Sequence, residues 1–368
     1  MAAVNGERVK QAREIRALTQ GELAERIGVS QPTISLIEQG AQQPSEGVLQ
    51  ALVLATGFPV GFFQKGKGPD FPSGSMLYRK SKKLPSTPAS QLRQSARLAL
   101  ELVQALGTRF KPIPVRIPLV GSGDPIEAAH VGRSVLGASP DGPMTGVIRR
   151  LERAGVLVVF LPSAPDGFDG FSAWSDEGDG HERRPIICLK HGVPGDRLRL
   201  TAAEELGHLM MHQDFLGGLK ELEQEADEFA GEFLFPQSEM KEQLRLPITL
   251  AHLGELKARW GVSIAAIAHL AEQRGLISDR QKRYVRAKLH DRGWLHTEPI
   301  HIPVEAPKLW RQMAEGIFGA PVDHKRLARE FEVSSGFVQQ LIEVNRPLDA
   351  RPIAPSSQVL LRFDRRRA

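Results

Sequence analysis

The chain has 368 residues, 41% hydrophobic and 25% charged, which is material for two or three folded domains and excludes wholesale disorder or a collagen-like fibre. Forty-eight Lys and Arg against 43 Asp and Glu leave a net charge of +5, which permits a nucleic-acid partner without specifying one. A single cysteine, Cys188, excludes an internal disulfide. No apolar run approaches the roughly 20 residues that cross a bilayer, and MAAVNGERVKQAREI carries no export signal, so the expectation is a cytoplasmic protein without membrane contact.

In chain order, residues 1–68 read as short amphipathic helices: VKQAREIRAL, QGELAERIG, QPTISLIEQG and SEGVLQALVLATG, each with apolar residues three and four apart. A turn-rich stretch (63–69), the basic run Arg79 to Lys83 and a helical period over 88–107 make 69–111 a linker with a helix. Within 112–240, the strand-length runs VLVVFL (156–161) and PIICLK (185–190) precede helical patterns at 200–213 and 219–235, an α+β unit. Residues 241–295 are helical again. The region 296–368 holds an extended HIPVE, another helical stretch and a basic RRR end, and reads as structural or regulatory.

Three segments echo one another: LAERIGVSQPTISLI (23–37), LKARWGVSIAAIAHL (256–270) and LAREFEVSSGFVQQL (327–341). Each reads as two short helices packed across a turn, with Gly28 and Gly261 supplying a positive φ and Ser30, Ser263 and Ser334 capping the second helix. Only the first copy offers a polar surface suited to reading DNA. Gln31, Thr33 and Ser35 lie on its second helix, and a glutamine can bond an adenine edge with two hydrogen bonds. Gln20 is placed to meet a phosphate or to buttress Gln31, and Lys10, Arg13 and Arg16 to neutralise backbone charge. With those residues, 8–64 resembles the XRE (lambda repressor-like) helix-turn-helix family. The resemblance implies a five-helix domain, often dimeric on a palindromic operator, with Gln20, Gln31, Thr33 and Ser35 at the DNA-contacting positions.

A second constellation is LTAAEELGHLMMH (200–212) followed by LEQEADEFAGEFLFP (222–236). An HExxH zinc protease sets two histidines one helical turn apart, a glutamate beside the first as general base, and a third ligand on a neighbouring helix. Here the fourth-spaced pair is Glu204 and His208, with Glu205 adjacent and Glu225 at the edge of an apolar face. His212 and His191 are further histidines within reach of such a site, and His181 is a weaker candidate. Cys188 reads as a small strand residue rather than a nucleophile.

On those residues, about 112–240 is similar to the ImmA/IrrE metallopeptidase domain, whose pattern is HELGHxxxH followed by EAxxFAxxLxxP. The resemblance implies a zinc protease that cuts helix-turn-helix repressors. Carried over, Glu205 is the general base, His208 and Glu225 are zinc ligands, and Glu204 stands where the first histidine belongs. Two carboxylates and one imidazole would make a less Lewis-acidic metal centre, so water activation weakens.

The predicted fold is multidomain: an all-α helix-turn-helix domain, an α+β zincin-like domain at 112–240 and a mostly helical C-terminal region. The predicted function is a dimeric, operator-binding transcriptional regulator controlled by an ImmA/IrrE-like domain with a degenerate or altered metal site. The alternative is an active zinc peptidase that cleaves a helix-turn-helix repressor partner in a stress response.

Overall fold

The computed structural model describes residues 3–71, 77–78, 86–121, 123–162, 164–165, 167–176, 183–212, 219–295 and 298–346. The basic run Arg79 to Lys83, His181 and the RRR end lie outside them. No helix among the described residues is long and apolar enough to cross a membrane.

Five helices open the chain: α1 (Gly6–Ile15), α2 (Gln20–Ile27), α3 (Gln31–Glu38), α4 (Glu46–Thr56) and α5 (Val60–Gln64). Their boundaries follow from local chemistry. Thr19 and Glu22 form a capping box at the start of α2, Gly28 ends it at φ 71°, and Ser30 Oγ accepts from Thr33 N to start α3. After β1 (Leu77–Tyr78) comes the long α6 (Ser86–Gly107), which packs along α1.

The α+β unit runs through α7 (Pro125–Val135), α8 (Val147–Arg153), β2 (Leu157–Phe160), β3 (Gly170–Trp174), β4 (Pro185–Leu189), α9 (Gly195–Met211) and α10 (Leu219–Leu234). The sheet order is β1-β3-β4-β2, with β2 and β4 parallel and the other pairs antiparallel. Every residue of β2, β3 and β4 is buried, so these strands read as continuous apolar runs; alternation sorts them between two cores instead. Leu157, Val159, Phe171, Ala173, Ile186 and Cys188 join one core with α1 to α6 and the C-terminal helices. Val158, Phe160, Ile187 and Leu189 join the other, with α8, α9 and α10. The sheet is the shared wall.

Beyond it lie α11 (Gln237–Gln243), α12 (Leu250–Trp260), α13 (Ile264–Gln273), α14 (Asp279–Asp291), α15 (Leu309–Phe318), α16 (His324–Glu330) and α17 (Ser335–Val344). The three echoing segments form α2–α3, α12–α13 and α16–α17. Gly28 and Gly261 take φ 71° and 68°; in the third copy Glu332 occupies the same left-handed corner at φ 49°. Ser30, Ser263 and Ser334 each cap the second helix. Glu298 accepts from the backbone N–H groups of Ile264 and Ala265, which fills the N-terminus of α13. That carboxylate also holds the buried Lys257, which bonds Asp196 as well.

Asn345, fully buried, ends α17 by pairing with the edge of β2: its Oδ1 accepts from Phe160 N and its Nδ2 donates to Phe160 O. A side-chain amide here substitutes for a strand neighbour, satisfying both backbone groups of Phe160.

Candidate nucleic-acid interface and metallopeptidase-like centre

The outer face of α3 carries the predicted base-reading residues. Ile34 and Ile37 turn into the core, while Gln31 is exposed and Thr33 and Ser35 are half-buried. A chain of three side chains fixes Gln31. Arg13, buried, donates Nε and Nη2 to the two oxygens of Glu38 at 2.6 and 3.0 Å. Glu38 Oε2 accepts from Gln20 Nε2 at 2.8 Å, which turns Gln20 Oε1 to accept from Gln31 Nε2 at 2.7 Å. Gln20 thus buttresses Gln31. The relay uses one of the two Nε2 hydrogens of Gln31, leaving the other, with Oε1, for a base edge.

Ser35 Oγ accepts from Gln39 Nε2 at 3.0 Å, and the Thr33 and Ser30 hydroxyls lie 2.8 Å apart. Leu36 on the same helix is 42% exposed.

Arg16 belongs elsewhere. Its Nε donates to Thr56 O at 2.6 Å and its Nη2 to Ser334 Oγ at 2.8 Å, with the guanidinium over the Phe58 ring. Burial lowers its pKa. Arg16 thus contacts the C-terminal region, and Arg13 is committed to Glu38.

The second constellation sits where α9 crosses α10. Gly207 lets them approach closely: a Cβ there would lie 3.0 Å from the Phe229 ring of α10. Glu204, Glu205 and His208 are all buried on α9. Glu205 faces the sheet, where its Oε2 accepts from Ser172 Oγ at 2.7 Å. Burial, then the charge of Glu205, pushes the Cys188 thiol well above its usual pKa, so it is no ready nucleophile.

His208 and Glu225 are brought together through His212. The Nδ1 atoms of the two histidines lie 2.8 Å apart, and His212 Nε2 is 2.9 Å from Glu225 Oε2. A second carboxylate, Glu223, lies 3.9 Å from His208 Nε2. Burial lowers the pKa of His212 while Glu225 raises it, burial being the larger influence. The spacing of His208 and His212, one turn apart, is the signal in the sequence that marks this pair.

Zinc, which the family resemblance implies, needs three or four donors converging at about 2.0–2.2 Å on one point. Here they run in series: Glu225 meets the nitrogen of His212 remote from His208. Among the described residues, no group of three or more His, Cys, Asp or Glu side chains is arranged to hold a metal ion. The residues as placed do not fit the metal, and Glu204 supplies no imidazole.

Two family models match the chain. A helix-turn-helix domain matches residues 6–61, which are α1 to α5 up to Gly61. An IrrE N-terminal-like domain matches residues 151–272, from within α8 to within α13. The chain therefore joins a DNA-binding helix-turn-helix domain to an IrrE-like, metallopeptidase-like domain. No individual curated protein matches it.

Proposed function

We propose that the chain is a sequence-specific transcriptional regulator, binding a double-stranded operator as a homodimer, in which the IrrE-like domain controls DNA binding without cutting a peptide. The observation that carries this reading is the relay Arg13–Glu38–Gln20–Gln31, which holds an exposed amide in one orientation on the outer face of α3. Pre-setting that amide spares the ordering of a long side chain on binding.

Control by the remainder of the chain is supported by how the helix-turn-helix domain is anchored. Arg8 pairs with Glu101 of α6, Lys65 Nζ donates to Phe331 O, and the carboxylate of Glu332 lies against Gly61, where any side chain would collide with it. Asn345 and Ser334, at the two ends of α17, connect the edge of β2 to Arg16 of the helix-turn-helix domain. In the IrrE-like domain, the series arrangement of His208, His212 and Glu225 favours a structural over a hydrolytic role.

The test is operator selection from random duplexes by the full-length chain. Changing Gln31→Ala with Thr33→Ala is expected to abolish selection while leaving salt-dependent, nonspecific binding. Unchanged selection overturns the base-reading assignment.

A further inference from the structure

We propose that α14, outside both matched domains, is a second DNA-backbone contact of the chain. Residues 279–292 (DRQKRYVRAKLHDR) contain six Arg and Lys against two Asp, a net of +4 where the whole chain carries +5. This concentration lies on a built helix: Ser278 and Gln281 form a capping box at its start, and Val285 and Leu289 anchor it in the core. Lys282 is turned aside to Glu272 at 2.7 Å.

Arg280, Arg283 and Arg286 are exposed and recur every three residues, so they form one ridge, about 9 Å long at 1.5 Å per residue. Successive phosphates of one strand lie further apart in space than their ~3.4 Å rise along the axis, so the ridge faces about two of them. Arginine suits them, since its planar fork bonds two oxygens of one phosphate. The intramolecular pair on this ridge, Arg283 with Asp279 at 2.7 Å, has side chains 72% and 52% exposed and is cheap to exchange.

The partner is DNA rather than a membrane because of where the apolar residues go. A helix that lies on lipid turns an apolar face outward. In α14 the aliphatic face is buried in the protein, and Tyr284 is the large exposed apolar residue beside the ridge. An arginine ridge over a buried aliphatic face matches a surface of phosphates without base recognition, so α14 adds affinity and salt dependence but no sequence preference.

The inference rests on the chain binding duplex DNA, and the experiment separates the two readings. Binding of the full-length chain to an operator duplex and to a random duplex is measured by fluorescence anisotropy across a salt series. In Arg280→Gln/Arg283→Gln/Arg286→Gln, the slope of log affinity against log salt is expected to fall by about 2, at roughly 0.9 per phosphate lost. Both duplexes should lose affinity by the same factor. The Arg→Lys triple variant, which keeps the charge, should retain most of the slope. An unchanged slope in the glutamine variant overturns the inference, as does a loss seen only on phosphatidylserine vesicles or a native chain that binds no duplex. If the native chain prefers no sequence yet the glutamine variant loses slope, base reading fails and the α14 contact stands.

Discussion

Arg16 Nη2 donates to Ser334 Oγ at 2.8 Å, joining the first helix-turn-helix to the third across 318 residues of chain. The same oxygen caps α17 by accepting from Phe337 N at 3.4 Å. One hydroxyl thus serves a helix start and a domain contact. Changing Ser334→Ala removes both, and stability is expected to fall by about 1–2 kcal/mol, the typical loss of a cap plus a hydrogen bond. In a double-mutant cycle with Arg16→Ala, urea denaturation should give a coupling of at least about 0.5 kcal/mol, and additive losses would mean the contact carries no energy. Because Arg16 is engaged here, Arg16→Ala should leave the salt slope of DNA binding unaltered. A slope lower by about 1 would instead assign Arg16 to a phosphate.

The helix-turn-helix was legible because its chemistry is local. Leu23, Ile27, Ile34 and Ile37 mark the inward faces, Gly28 and Ser30 mark the corner, and all are decided within 15 residues. Arg16 was not legible: a basic residue near a recognition helix suits a phosphate equally well, and only the fold brings Ser334 and Thr56 to it. The strands VLVVFL and PIICLK were found as apolar runs. Gly170–Trp174 was not, since GFSAW is short, mixes small and aromatic residues and is buried on both faces, which erases the alternation that identifies a strand.

At the metallopeptidase-like centre, the sequence placed Glu204, Glu205 and His208 on one helix and Glu225 on the next, which the structure retains. It did not reveal that His212 lies between His208 and Glu225. That arrangement depends on the close crossing of α9 and α10 at Gly207 and Phe229.

Glu152 gives a pH-dependent prediction. Its Oε1 accepts from the backbone N–H groups of Lys308 and Leu309 at 2.9 and 2.8 Å, so it ties the start of α15 to α8. Burial raises its pKa from 4.5 to about 7, outweighing those two hydrogen bonds. The folded chain therefore holds this proton more tightly than the unfolded chain. The stabilising contribution is full below pH 4.5 and is lost as pH rises to about 7, with a ceiling of about 3 kcal/mol. Glu152→Gln keeps an oxygen acceptor and has no proton to lose, so its stability relative to the native chain should improve between pH 5 and pH 7.5. Parallel denaturation curves at the two pH values would show that Glu152 does not titrate in this window.

The metal prediction turns on His212. His212 Nδ1 meets His208 and its Nε2 meets Glu225, which sets the two residues that the family resemblance assigns to zinc in series instead of around one point. Elemental analysis of chain purified without chelator or histidine tag is expected to give well under one zinc per chain. Placing an imidazole at position 204 by Glu204→His alone should raise the content little, because His208 and Glu225 stay in series through His212. Adding His212→Ala releases both, and occupancy should then approach one zinc per chain, since two imidazoles and a carboxylate form a peptidase donor set. A different result would revive the repressor-cleaving reading: one zinc per native chain, lost in His208→Ala and in Glu225→Ala. The series arrangement would then rearrange when the metal enters, and Glu205 would have a water to activate.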